Sequence, residues 1–286
     1  MIYLLDFRSA PRSGAVVPPR LTLYDHERLG VHAGDQLAQE PRVTFLIHGF
    51  NVDRNEGITS LSRLAVELSD ANAGALICVL WPGDSYFGPL GYSWEGVDAD
   101  DTAAYLAEFI RDNWSQKTGR SKVPVSFIAH SKGARVAMGA ATAWHASTGM
   151  KPDQICLLAA AIDDTSLAEA DVYEAVTAAS KRVAVLSSRR DAVLGLTYPA
   201  GDLLQAFLFA EDDFGWALGY GGPKPDQNGE EWPAPVFPKQ IDPGKDVGHG
   251  DYLPPSDDKE QINSKQRAAI HFVRAALAGE SEIPYL

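Results

Sequence analysis

The sequence predicts an α/β fold built on a mainly parallel sheet, and three observations predict it. Short apolar runs alternate with longer segments of helical periodicity, the pattern of successive βαβ units. One such run, residues 123–129, passes through His130 and Ser131 into Gly133 and an alanine-rich helical segment. The 286 residues, 45% of them hydrophobic, suffice for a large core, and an α/β unit of this size is commonly one domain.

The elements follow in order. Strands are expected at residues 2–7 and 20–24, and the first strongly buried one at 43–47, ending at His48-Gly49-Phe50. A helix is expected over 58–69, where Leu61, Leu64, Ala65 and Leu68 share a face. Residues 75–81 form the next strand, stopped by Pro82-Gly83. Ala103, Ala104, Ala107, Ile110 and Trp114 mark a helix over 100–114. The strand at 123–129 carries Pro124 near its start, where the missing N–H is tolerated. A helix over 131–146, a strand at 155–162, a helix at 172–179 and a strand at 182–187 come next, and an amphipathic helix over 259–278 closes the chain. The alternation breaks at 194–255, which holds Phe207, Phe209, Phe214, Trp216, Tyr220, Trp232 and Phe237 among many Gly and Pro. A structureless loop of this length is uncommon unless functional. It is expected to be a cap or loop insertion over the C-terminal edge of the sheet, with a short helix near 203–209, inside a single domain spanning 1–286.

Composition excludes several classes. A formal net charge of -13 argues against a nucleic-acid partner and against adhesion to anionic membranes. Residues 1–8 lack a basic leader ahead of a long apolar core, so they read as a strand rather than a signal peptide. No apolar run approaches the ~18 residues a membrane span needs. Cys78 and Cys156 each lie inside an apolar run and read as buried free thiols, so a cytoplasmic protein is expected. With no His-x-x-x-His and no paired Cys-x-x-Cys, neither a metal nor another cofactor is expected.

The junction at Ser131 carries the chemistry. It runs buried strand, Ala129, His130, Ser131, Lys132, Gly133, helix. A turn this tight holds a serine at its apex in a strained backbone and needs small residues two before and two after. Gly is the usual residue at both places, and Ala129 is a mild departure. The hydroxyl then lies at a helix N-terminus, whose N–H groups favour a developing oxyanion. Serine is also an ordinary helix cap, but the strand before it and the glycine after it favour a nucleophile.

The strand 43–47 ending in His48-Gly49 supplies the second half of an oxyanion hole, with the backbone N–H groups of Phe50 and Lys132 as donors. His48 is then structural, bracing the loop. In this arrangement the acid and then the histidine follow the serine in the chain. Of the seven histidines, His26, His32, His48, His130 and His145 come too early, and His271 falls within the last helical pattern. His249 remains, in the glycine-flanked loop Val247-Gly248-His249-Gly250-Asp251. For the acid, Asp191 follows the strand 182–187, while Asp163 and Asp164 follow the preceding one and stay in contention.

These residues resemble the α/β-hydrolase superfamily. More narrowly, the chain is similar to a bacterial group of serine hydrolases in four places: Ile47-His48-Gly49-Phe50-Asn51-Val52, the strand end Trp81-Pro82, the elbow His130 to Gly133, and the acid segment Ser188 to Asp191. The likeness covers roughly 43–252, with Lys132 where the group more often has Met. It implies an α/β-hydrolase fold and a Ser131–His249–Asp191 triad, and it implies no particular substrate. The aromatics at 86–94 and 203–237 leave or cover the edge where ligands bind, which predicts a largely apolar pocket and carboxylic esters of short to medium chain. An acyltransferase with the same triad and a non-catalytic binding protein on the same fold are the alternatives.

Overall fold

The computed structural model describes residues 1–286 apart from 13, 26–27, 31–32, 72, 85–94, 116–117, 169–170, 196–215, 226–228, 230 and 281–286. Among the described residues nine strands form one sheet: β1 (Ile2–Arg8), β2 (Val16–Asp25), β3 (Arg28–Gly30), β4 (Val43–Ile47), β5 (Ala75–Leu80), β6 (Val125–His130), β7 (Gln154–Leu158), β8 (Arg182–Ser187) and β9 (Val236–Gln240). Their order is β3-β2-β1-β5-β4-β6-β7-β8-β9. All neighbours from β1 to β9 run parallel, and β2 and β3 add an antiparallel edge.

Helices α1 (Ala33–Leu37), α2 (Arg54–Leu68), α3 (Glu95–Asn113), α4 (Gly133–Thr148), α5 (Glu174–Ala179), α6 (Leu218–Gly221) and α7 (Ser264–Ala278) cover the sheet. Successive strand residues point to opposite faces, which divides the core in two. Phe45, Ile47, Phe127 and Ala129 pack with α3 and α4, whereas Leu46, Cys78 and Ile128 pack with α2 and α7. Covered on both faces, β4 and β5 are buried end to end and mostly apolar, and the buried Thr44 hydroxyl donates to the Ala73 carbonyl. Cys78 and Cys156 are free and buried. None of the helices among the described residues is long and apolar enough to cross a membrane.

The helices start where their caps put them. Asp53 accepts from the N–H groups of Asn55 and Glu56, and Glu56 returns a bond to the Asp53 N–H, so α2 begins at Arg54. Asn263 and Gln266 form the same box on α7, which therefore begins at Ser264, five residues after the start expected from periodicity.

Two other boundaries differ from the sequence pattern. The apolar run from 155 to 162 leaves the sheet at Leu158, because Ala159 turns to a φ of 44° and the chain crosses under the β6–α4 junction. The stretch 194–255 also contributes a strand, since β9 pairs with β8 from Val183↔Val236 to Ser187↔Gln240. Pro238 is tolerated there because an edge strand need not donate outward. The expected helix near 203–209 and the aromatics at 86–94 and 207–214 lie outside the described residues.

Parallel pairing sends the segments after β4, β6, β8 and β9 out of the same sheet edge, the usual ligand edge of such sheets. Those segments carry Phe50, Ser131, Asp191 and His249.

Candidate active site

Ser131 sits between β6 and α4 with a φ of 53°, a left-handed conformation that costs a non-glycine residue of order 1–3 kcal/mol. Neighbouring backbone holds it there. Its N–H donates to the Leu158 carbonyl at 3.0 Å, and its own carbonyl accepts from the N–H groups of Ala161 and Ala134 at 3.1 and 3.0 Å. Gly133 is required by contact: a Cβ there would lie 2.3 Å from the His48 carbonyl oxygen. Ala129 fits its position with its methyl in the core.

The β4 end packs directly on this turn, for a Cβ on Gly49 would meet the Ser131 Cβ at 2.8 Å. Phe50 follows Gly49, and Lys132 follows Ser131 at the start of α4; the Lys132 ammonium lies 5.9 Å from the Phe50 ring centre. The loop itself is braced from three sides. Asn51, at a φ of 55°, donates its N–H to the Gly83 carbonyl. The buried Arg8 guanidinium donates to the Val52 carbonyl and pairs with Asp84. His48 stacks on Trp81, whose indole N–H donates to the His48 carbonyl at 2.8 Å. The His48 Nδ1 faces the Gly49 carbonyl at 2.8 Å and its Nε2 faces the Trp81 N–H at 3.3 Å, so the proton resides on Nδ1. Burial, with the Arg8 charge second, pushes the His48 pKa down to about 3 and keeps the ring neutral.

His249 lies in a short 3₁₀ turn, His249–Asp251, after β9. Its Nε2 is 2.8 Å from the Ser131 Oγ, and its Nδ1 is 2.8 Å from the Asp191 Oδ2. Asp191 is fully buried, and its other oxygen accepts from the N–H groups of Val193 and Leu194 at 3.1 Å each. A carboxylate can only accept, so Nδ1 carries the proton and Nε2 is left to accept from the serine hydroxyl. Of the other two candidate acids, Asp164 has its carboxylate paired elsewhere. Asp164 is buried against the Lys224 ammonium at 2.6 Å, and the exposed Asp163 bridges Ala217 through its main chain.

The part of the fold that carries this strand–turn–helix serine is matched at the family level. A family model described as alpha/beta hydrolases of unknown function (DUF900) matches residues 32–201, more than half of the chain. The chain belongs to this family. As an α/β hydrolase it carries the parallel sheet and flanking helices of that fold. No curated protein sequence matches it. Among solved structures, it is similar to carboxyl esterase 2 of the mycorrhizal fungus Tuber melanosporum, with a TM-score of 0.45 and 12% identity over 83% of this chain and 76% of that one. It is also similar to an esterase of Pyrobaculum calidifontis, with a TM-score of 0.41 and 13% identity over 85% of this chain and 78% of that one.

One residue of this hydrolase's site is absent from the sequence-based set. The elbow pattern leaves the position before the serine open, and His130 occupies it. Its Nε2 lies 3.0 Å from the His249 carbonyl oxygen, and the two rings are 4.8 Å apart. Burial, with His249 second, lowers the His130 pKa to about 3. Adjacency to Ser131 is the sequence signal for it; the bond to a residue far down the chain is not.

Proposed function

We propose that this α/β hydrolase cleaves carboxylic esters of short to medium acyl chain through an acyl-enzyme on Ser131. The observation that carries the reading is the unbroken pair of 2.8 Å contacts from Asp191 through His249 to Ser131. In the first step the Ser131 Oγ forms a bond to the acyl carbon as its proton passes to the His249 Nε2. Asp191 holds the imidazole orientation and stabilises its charged form. The Phe50 and Lys132 N–H groups stabilise the tetrahedral oxyanion. When the ester C–O bond breaks, the imidazolium returns its proton to the departing alkoxide, and a water activated by the same histidine then frees the carboxylic acid. The described part of the stretch 194–255 presents an aromatic pair. Its Trp216, 42% exposed and stacked on Tyr220 at 5.1 Å, suits an apolar acyl group.

A fluorophosphonate probe tests the nucleophile: the wild-type chain should label and Ser131→Ala should not. Equal labelling of both, or of neither, rejects the reading. A panel of p-nitrophenyl esters, amides and lactones then tests the substrate class, with esters of short to medium chain expected to turn over fastest.

A further inference from the structure

The loop that carries His249 has little intrinsic stiffness, since glycines flank the histidine on both sides and a Cβ on Gly250 would meet open space. One side of it borders a cavity of about 390 Å³ lined by Gly49, His130 and Gly250 among others, so close packing does not fix its backbone there. Besides the Ser131 hydroxyl on its ring, His249 meets a second group of the elbow, the His130 ring, whose Nε2 lies 3.0 Å from the His249 carbonyl oxygen. We infer that His130 is a positioning residue: its Nε2–H donates to the His249 carbonyl and holds the base at hydrogen-bonding distance from Ser131. This inference rests on the proposed role of His249 as the base.

Three features support the assignment. A carbonyl can only accept, so the proton must lie on the His130 Nε2, which leaves Nδ1 bare against the Gly49 backbone. Burial keeps the ring neutral, so one tautomer, with its proton on Nε2, makes the bond. His130 also directly precedes Ser131, so a shift of the elbow carries the base loop with it. Reacting groups misplaced by about 1 Å lose of order 10²-fold in rate.

The test uses the full chain and two substitutions. His130→Phe keeps a ring and removes the donor; His130→Gln restores an N–H as many bonds from Cβ as Nε2. On a p-nitrophenyl ester, His130→Phe should lose about 10- to 100-fold in kcat with KM within about threefold, and His130→Gln should return to within about threefold of wild type. A His130→Phe enzyme as fast as wild type, or a His130→Gln enzyme as slow as His130→Phe, overturns the inference. Imidazole ¹⁵N shifts of the wild-type chain decide independently should His130→Phe not fold. An Nε2–H tautomer with a slowly exchanging proton supports the bond, and an Nδ1–H tautomer refutes it. Absent fluorophosphonate labelling of wild type would instead reject the serine hydrolase reading, and the ¹⁵N measurement reads the His130 bond in that event too.

Discussion

Ser131 and His249 meet at 2.8 Å, yet the two regions that hold them are built in different ways. The elbow is backbone packed on backbone: Ser131 bonds to Leu158, Ala161 and Ala134, while Gly133 and Gly49 admit no side chain. The loop of His249 is held largely by side chains arriving from elsewhere. Ser188 Oγ donates to the Val247 carbonyl at 3.0 Å, Asp251 accepts from the Gly248 N–H at 2.8 Å and from Lys265, and His130 bonds His249 itself. A serine fixed by backbone cannot be re-aimed by one side-chain change, whereas a histidine on such a loop can. Substitutions that crowd the elbow's backbone should therefore act mainly on folding, and those that cut side-chain anchors of the loop mainly on rate.

The largest effect expected is on rate. Asp191→Asn removes the charge that holds the His249 tautomer and should lower kcat on an aryl ester by about 10³- to 10⁴-fold, with little change in melting temperature. Asp163→Asn should leave kcat within about threefold, and a reversed ranking would make Asp163 the acid. Next comes the elbow. Gly133→Ala forces a methyl to within 2.3 Å of the His48 carbonyl oxygen and should cost about 3 kcal/mol. That is about 6–12 °C in Tm for a chain of this size. Gly250→Ala, on the base loop, enters open space and should leave Tm nearly unchanged. Thermal scans of the two variants side by side would break the comparison if both melted alike.

The same contrast governs what the sequence reveals. The β6–Ser131–α4 junction is legible because every feature it needs is adjacent in the chain: an apolar strand, a serine, and a glycine two residues on. Chain order points to His249 and the end of β8 to Asp191, and the fold lines up these two side chains with Ser131 through contacts of 2.8 Å each. Pattern alone had left Asp163 and Asp164 in contention, because a strand end says nothing of which way a carboxylate turns. Residues 236–240 hid as a strand: Pro238, Lys239 and Gln240 belong to a half-exposed edge and carry no buried run. His130 hid for a related reason, since its partner is distant in sequence and the elbow pattern leaves its position open.

Acid should separate the regions through their histidines. His48 packs in the loop after β4 and His130 bonds the loop of His249, and both have folded pKa values of about 3, below the ordinary value of about 6.5. The unfolded chain therefore binds more protons than the folded one below pH 6.5. The stability these rings contribute is complete above that pH and is lost as pH falls toward 3. Each ring adds up to about 1.4 kcal/mol of loss per pH unit. Asp53 and Asp70, whose pKa values are lowered, add to it only below about pH 4. Urea midpoints at pH 6.5, 5.5 and 4.5 should fall steadily for wild type and about half as steeply for His130→Gln. An unchanged slope would mean that His130 takes up its proton equally in both states.

The smallest effect tests the base loop without touching an ionisable group. The buried Ser188 hydroxyl donates to the Val247 carbonyl and accepts from the Arg190 N–H at 3.1 Å, which ties the loop to the turn carrying Asp191. Ser188→Ala leaves that carbonyl and that N–H short of a partner and should cost about 1–2 kcal/mol of stability. Because the bond joins the acid's turn to the base's loop, kcat should fall by about three- to tenfold while KM holds. Combined with His130→Phe, the loss in kcat should fall short of the product of the single losses, since both bonds restrain the same short segment. Full multiplicativity would mean that the two anchors act independently, and that the base loop is stiffer than its flanking glycines suggest.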